Sequence, residues 1–193
     1  MCIRDSYNII GESGCGKSTL LNILAGLNTE YTGNICLDKL DKSQFSKYEW
    51  RNLFSYITQD LQILEDTVYN NLIYGINENI SIEEIQNACK KTNSLNFIQN
   101  LKNGFSTSIS PDSINLSIGQ KQRLVLTRAF LQKKPIILLD EVTSNLDKES
   151  HKYIVKSIES LAQSSIVLNV THRHDKNDFS NSKVKLIDFR QFN

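Results

Sequence analysis

Tyr7-Asn8-Ile9-Ile10-Gly11-Glu12-Ser13-Gly14-Cys15-Gly16-Lys17-Ser18-Thr19-Leu20 decides the fold class of this chain. Tyr7 to Ile10 reads as a short buried strand running straight into Gly11. Ser18 to Leu27 reads as a helix, because Leu20, Ile23, Leu24 and Leu27 recur on one helical face. Between the two lies G-x-x-x-x-G-K-S, a phosphate-loop pattern in the strand-to-helix context that confirms it. The chemistry follows from the residue types. Gly11, Gly14 and Gly16 let the backbone turn with its amides pointing inward, and Ser13, Cys15 and Thr19 complete the cradle. The helix N-terminus adds partial positive charge. Lys17 can then reach the outer phosphates of a nucleotide, and the Ser18 hydroxyl can ligate Mg²⁺.

Further along, Ile136 to Leu139 is the most apolar run of the chain and ends at Asp140 and Glu141. Two carboxylates at the C-terminal end of a buried strand stand where open α/β sheets bind ligands. By itself such a pair is as often a solvated loop start; beside a phosphate loop, Asp140 suits Mg²⁺. Glu141 suits acceptance of a proton from an attacking water.

The rest of the pattern alternates. Asn34 to Leu37, Phe54 to Thr58, Ile166 to Val170 and Lys183 to Ile187 read as strands. Ile82 to Lys91, Leu95 to Leu101, Ile118 to Gln132 and Lys148 to Leu161 read as helices. Strands interleaved with helices predict a mainly parallel sheet covered on both faces. Residues 67–132 predict a largely helical insertion. Met1 to Ser6 show neither strand alternation nor a helical face and are set aside as a fragment start or a cloning or assembly scar. The 193 residues fit one domain, and a net charge of +1 points to neither nucleic acid nor an acidic partner. Cys2, Cys15, Cys36 and Cys89 form no C-x-x-C pair, so reduced thiols are expected. No apolar run approaches the ~20 residues that cross a bilayer.

Leu116-Ser117-Ile118-Gly119-Gln120 makes a family identifiable, because it resembles the L-S-G-G-Q signature of ATP-binding cassettes. Gln59 resembles the Q-loop glutamine, Ser144-Asn145-Leu146-Asp147 the D-loop, and His172 the switch histidine. The resemblance spans Tyr7 to Ile187, with six motifs in order. It implies a P-loop NTPase with a parallel-sheet core and an inserted helical signature subdomain, binding ATP and Mg²⁺. It implies that Ser18, Gln59 and Asp140 organise Mg²⁺, that Glu141 polarises water, and that His172 contacts the γ-phosphate. It also implies a head-to-tail pair of cassettes, with Ser117, Gly119 and Gln120 of one closing over ATP held by the other. Asp147 would lie at that seam. Lys121 and Arg123 are most simply a solvated face of the signature helix.

Two departures stand out. Ile118 replaces the first glycine of the signature, adding a β-branched residue near the phosphate closure. Only ten residues precede Gly11, where the resemblance implies a β-rich stretch with an adenine-stacking aromatic, so a truncated front is expected. Asp60 to Val68, Asn70-Asn71-Leu72 and Gly104-Phe105-Ser106-Thr107 resemble the exporter type, implying a peptide, lipid or drug exporter with a transmembrane partner domain. Such a cassette works at the cytoplasmic side of the cell membrane. The alternative is a soluble cassette ATPase of DNA repair or of the ribosome, whose heptad arms or second phosphate loop do not occur here.

Overall fold

A computed structural model of the chain describes residues 6–76, 78–110, 114–144, 146–171 and 185–188, the last by its backbone alone. The strands of its main sheet are β1 (Ser6–Ile10), β4 (Phe54–Ile57), β5 (Ile136–Asp140), β6 (Ile166–Thr171) and β7 (Lys185–Asp188). A small hairpin, β2 (Cys36–Leu37) and β3 (Leu40–Asp41), lies between β1 and β4 in sequence. The helices are α1 (Lys17–Leu24), α2 (Lys47–Asn52), α3 (Val68–Ile73), α4 (Ile82–Lys91), α5 (Leu95–Gln99), α6 (Ile118–Gln132) and α7 (Lys148–Ala162).

The sheet runs β4-β5-β6-β1-β7, and every pair in it is parallel. Its continuous apolar strands follow from burial on both faces, as in Ile136 to Asp140, where all five residues are buried. One face packs Ile9, Ile136, Leu138 and Val170 against Leu21 and Ala25 at α1. The other packs Ile57, Ile137, Leu139 and Val167 against Val125, Leu126 and Ala129 of α6 and Ile154, Ile158 and Leu161 of α7. The architecture is the expected α/β P-loop NTPase sheet.

The helical insertion has its own core of Val68, Leu72, Ile85, Cys89, Ile98, Leu116, Leu124 and Leu131. Helix α6 supplies residues to both this core and the sheet core, so it ties the insertion to the sheet. Its start and that of α4 are set by capping boxes, Ser117 with Gln120 and Ser81 with Glu84.

Several boundaries differ from the sequence reading. Ser6, set aside with the chain start, is buried in β1 and pairs with Val167; Met1 to Asp5 lie outside the described residues. Helix α1 stops at Leu24 rather than Leu27, since Gly26 turns the chain at φ +72°. The strand expected over Asn34–Leu37 is only Cys36–Leu37, because Asp38 and Lys39 both take positive φ to close a tight hairpin. Helix α2 was not expected at all; Ser46 and Glu49 start it with a third capping box.

Candidate active site

The phosphate loop leaves the C-terminal end of β1, and its turn depends on two glycines. Gly14 and Gly16 lie at φ +80° and +98°, where a side chain would be strained. Gly16 is also the N-cap of α1, so the loop delivers the first turn of that helix with its amides open. Lys17 is buried, and its Nζ donates to the Gly11 and Glu12 carbonyls at 2.9 and 2.7 Å, with the Cys15 Sγ 3.8 Å away. The ammonium is thus folded over the loop that would hold phosphate. Ser18 and Thr19 are exposed on the first turn of α1.

The C-terminal end of α1 is held as firmly. The Lys42 ammonium donates to the Ile23 carbonyl at 3.0 Å, the Trp50 indole to that of Leu24 at 2.8 Å, and Arg51 to that of Gly26 at 2.9 Å. Two cations and an indole N–H therefore satisfy carbonyls that the end of a helix leaves open.

Asp140 ends β5 with 6% of its surface exposed. Alternation along the strand puts it on the Leu138 face, the one that packs against α1. Its Oδ1 is buried with no hydrogen-bond partner among the described residues. A buried anionic oxygen left open on the phosphate-loop face suits a cation. The donor set, Ser18 hydroxyl and Asp140 carboxylate, is the all-oxygen type that Mg²⁺ takes. The residues present therefore fit the ion. The Tyr56 hydroxyl stands 3.5 Å from the Asp140 Oδ2. Burial and the adjacent Asp140 carboxylate push the Tyr56 phenol up to about 12.

Glu141 follows at φ +55°, left-handed backbone that a non-glycine residue rarely adopts. The turn is pinned on both sides. Its amide donates to the Val170 carbonyl at 3.1 Å, while its carbonyl accepts from the Ser144 amide at 3.0 Å and hydroxyl at 2.8 Å. The surrounding bonds thus hold a conformation that costs of order 1–3 kcal/mol. Gln59 is exposed on the turn after β4. Register pairs Ile57 with Leu139, so that turn leaves the same edge of the sheet as Asp140 and Glu141.

A second group forms where α6 and α7 begin. The Ser117 hydroxyl accepts from the Gln120 amide at 3.2 Å, and the Gln120 Oε1 accepts from the Ser117 amide at 2.9 Å. Asp147 caps α7 through the Glu149 and Ser150 amides, and the Ser150 hydroxyl and amide hold its carboxyl below its ordinary value. A Cβ built on Gly119 would meet the Ser150 Oγ at 2.9 Å and its Cβ at 3.2 Å. The start of α6 at Gly119 therefore lies against Ser150, a residue of the α7 turn that Asp147 caps. Ile118 is 55% exposed, so its side chain points out of the helix pair rather than into it. His172 and Asn145 lie outside the described residues.

One reading of arginine changes and a second arginine gains a role. Arg123 is not simply a solvated face: it donates to the Asn93 carbonyl at 2.8 Å and lies over the Phe97 ring, tying α6 to α5. Lys121 is half-buried. Arg128, unremarked in the sequence, is buried and donates to the Asn71 carbonyl at 2.7 Å and that of Gln62 at 3.1 Å. Tyr56, Arg128 and Ser150 were all missed, since their partners are distant in sequence.

The family profile described as "ABC transporter" matches residues 5–144. An ATP-dependent lipid A-core flippase of Francisella tularensis subsp. holarctica (strain OSU18) is 37% identical over 164 residues, covering 85% of this chain and 27% of the flippase. The flippase of that name from Methylobacillus flagellatus is 38% identical over 165 residues, 86% of this chain and 28% of its own. A solved bacterial Atm1-family ABC exporter with ATP bound superposes with a TM-score of 0.84 at 27% identity, covering 97% of this chain and 32% of the exporter. The chain thus spans about a third or less of the proteins it matches. With the phosphate loop, the carboxylate-ended strand and the capped signature helix in one parallel-sheet frame, it belongs to the ABC transporter family and is an ATPase domain of that family.

Proposed function

We propose that this cassette powers a membrane exporter that moves an amphipathic, lipid-like substrate, and that it works as a head-to-tail pair with a second cassette at the cytoplasmic side of the membrane. Support for the lipid class comes from relatives that are lipid A-core flippases, and for export from the solved exporter with the same fold. No helix among the described residues is long and apolar enough to cross a membrane.

In this reading Lys17 and the amides from Gly11 to Thr19 hold the phosphates of ATP. Ser18, Asp140 and Gln59 would hold Mg²⁺, which when bound supplies charge neutralisation at the outer phosphates. Glu141 aligns and deprotonates the attacking water, and His172 stabilises charge on the γ-phosphate as it transfers. Ser117, Gly119 and Gln120 of the partner cassette close the site, with Asp147 at the seam. The observation that carries the catalytic half is the buried Asp140 Oδ1 on the phosphate-loop face, without a hydrogen-bond partner among the described residues and followed at once by Glu141 in a pinned, left-handed turn.

Glu141→Gln tests it. The variant should lose steady-state hydrolysis yet still bind ATP and pair in its presence, read by phosphate release and by sedimentation. Wild-type turnover would remove Glu141 from the base role, and retained ATP binding without pairing would remove the head-to-tail arrangement.

A further inference from the structure

We propose that Tyr56 is a positioning residue for the metal-holding carboxylate, its hydroxyl engaging the Asp140 Oδ2 so that Oδ1 is the oxygen presented to the cation. This rests on the reading of Asp140 as a metal ligand given above.

Strand register brings the two together. Tyr56 pairs with Leu138, so its side chain and that of Asp140, two residues further on, share one face of the sheet. The offset is a diagonal cross-strand pair, within reach of a tyrosine. The hydroxyl stands 3.5 Å from Oδ2, longer than the roughly 2.5–3.0 Å of an ordinary O–H···O bond, and a small rotation of either side chain brings it to bonding distance. Oδ1 has no partner among the described residues and Asp140 is 6% exposed, so the carboxylate is asymmetric: one oxygen is addressed and the other is open. A carboxylate free to rotate would share its charge between two orientations. A phenol on one oxygen selects one of them, as groups behind a metal ligand commonly do. Tyr56 is itself held, because β4 is bonded to β5 and its side chain packs against the core cluster that contains Ile136 and Leu138. Gln59 follows Tyr56 by three residues on the same strand exit, so the β4 end would act on the cation twice, once directly and once through Asp140.

Tyr56→Phe removes only the hydroxyl and keeps the ring. The full chain is titrated with Mn²⁺ in the presence of ADP, with free Mn²⁺ read by electron paramagnetic resonance. Nucleotide affinity is measured separately in EDTA with a fluorescent ATP analogue. The expected result is a loss of Mn²⁺ affinity on the order of ten-fold, with metal-free nucleotide affinity unchanged. Unaltered Mn²⁺ affinity overturns the proposal, as does an equal loss of metal-free nucleotide binding, which would mark a general structural role. A wild-type chain that binds ADP but takes up no Mn²⁺ would overturn the metal-ligand reading of Asp140 and this proposal with it. Should Tyr56→Phe fold poorly, Tyr56→Leu also lacks the phenol oxygen and puts no donor in its place, and the same two titrations decide.

Discussion

Gly119→Ala should destabilise the chain for a reason that lies in its own fold. The new methyl group would sit 2.9 Å from the Ser150 Oγ and 3.2 Å from its Cβ. The hydroxyl can rotate away, but the Cβ belongs to the first turn of α7 and can yield only with the helix. Overpacking of this kind costs about 1–3 kcal/mol. Gly119 lacks a positive φ and sits in the first turn of α6, so alanine also brings a helix-propensity gain of up to about 1 kcal/mol. The net cost is then about 0–2 kcal/mol, and at this chain length each kcal/mol moves Tm by about 2–4 °C. Gly119→Ala should therefore lower Tm by up to roughly 8 °C. In a Ser150→Gly background the obstruction is gone and only the propensity gain remains, so the same substitution should leave Tm unchanged or raise it slightly. The assay is thermal unfolding of the four chains of the double-mutant cycle, followed by circular dichroism. An equal fall in Tm in both backgrounds would refute the reasoning. ATP-driven pairing of the same four chains adds a functional arm. Recovery in the double variant would mean that glycine is demanded by Ser150 of the same chain, whereas persistent loss would mean that it is demanded by the nucleotide or the partner.

Two further outcomes follow from the site. Lys17→Ala removes charge-assisted bonds worth about 1.5–3 kcal/mol, so ATP affinity measured by calorimetry should fall roughly ten- to hundred-fold; unchanged affinity would contradict the phosphate-loop assignment. Tyr56 keeps its proton to about pH 12 in the fold but loses it near its ordinary value of 10 once unfolded, so this phenol's contribution to stability declines as pH rises through that interval. An ultraviolet titration should show a late-ionising phenol component that Tyr56→Phe removes.

How much of this was readable before the structure depends on whether the determinant was local. Helices α4 and α6 begin and end where the sequence placed them, because apolar periodicity and a Ser-x-x-Glu or Ser-x-x-Gln box both mark their starts. Strand β5 is equally plain, being buried on both faces. The phosphate loop, the carboxylate pair and the signature are contiguous residues, so their spacing was visible. Helix α2 carries the same Ser46/Glu49 box, but it is six residues long and buries only Trp50, too little for a period to show. Arg128 reads in sequence as one more charge on a helix; only folding reveals that it is buried against the Asn71 and Gln62 carbonyls. The contact between Tyr56 and Asp140 spans 84 residues and needs the β4–β5 register to be seen. The left-handed turn at Glu141 had no signal either, since a glycine would ordinarily announce it.

The clamp on the far end of α1 bears on how inherited variation in such a cassette should be interpreted. An eight-residue helix is too short to persist in water on its own, so the orientation of its phosphate-facing amides is borrowed from whatever grips its opposite tip. Lys42, Trp50 and Arg51 supply that grip from a separate stretch of chain outside the glycine-rich loop. Substitutions there would surface in a genetic screen as ATP-binding defects, and a map of such defects drawn on the sequence would contain a second island some thirty residues beyond the glycine-rich loop.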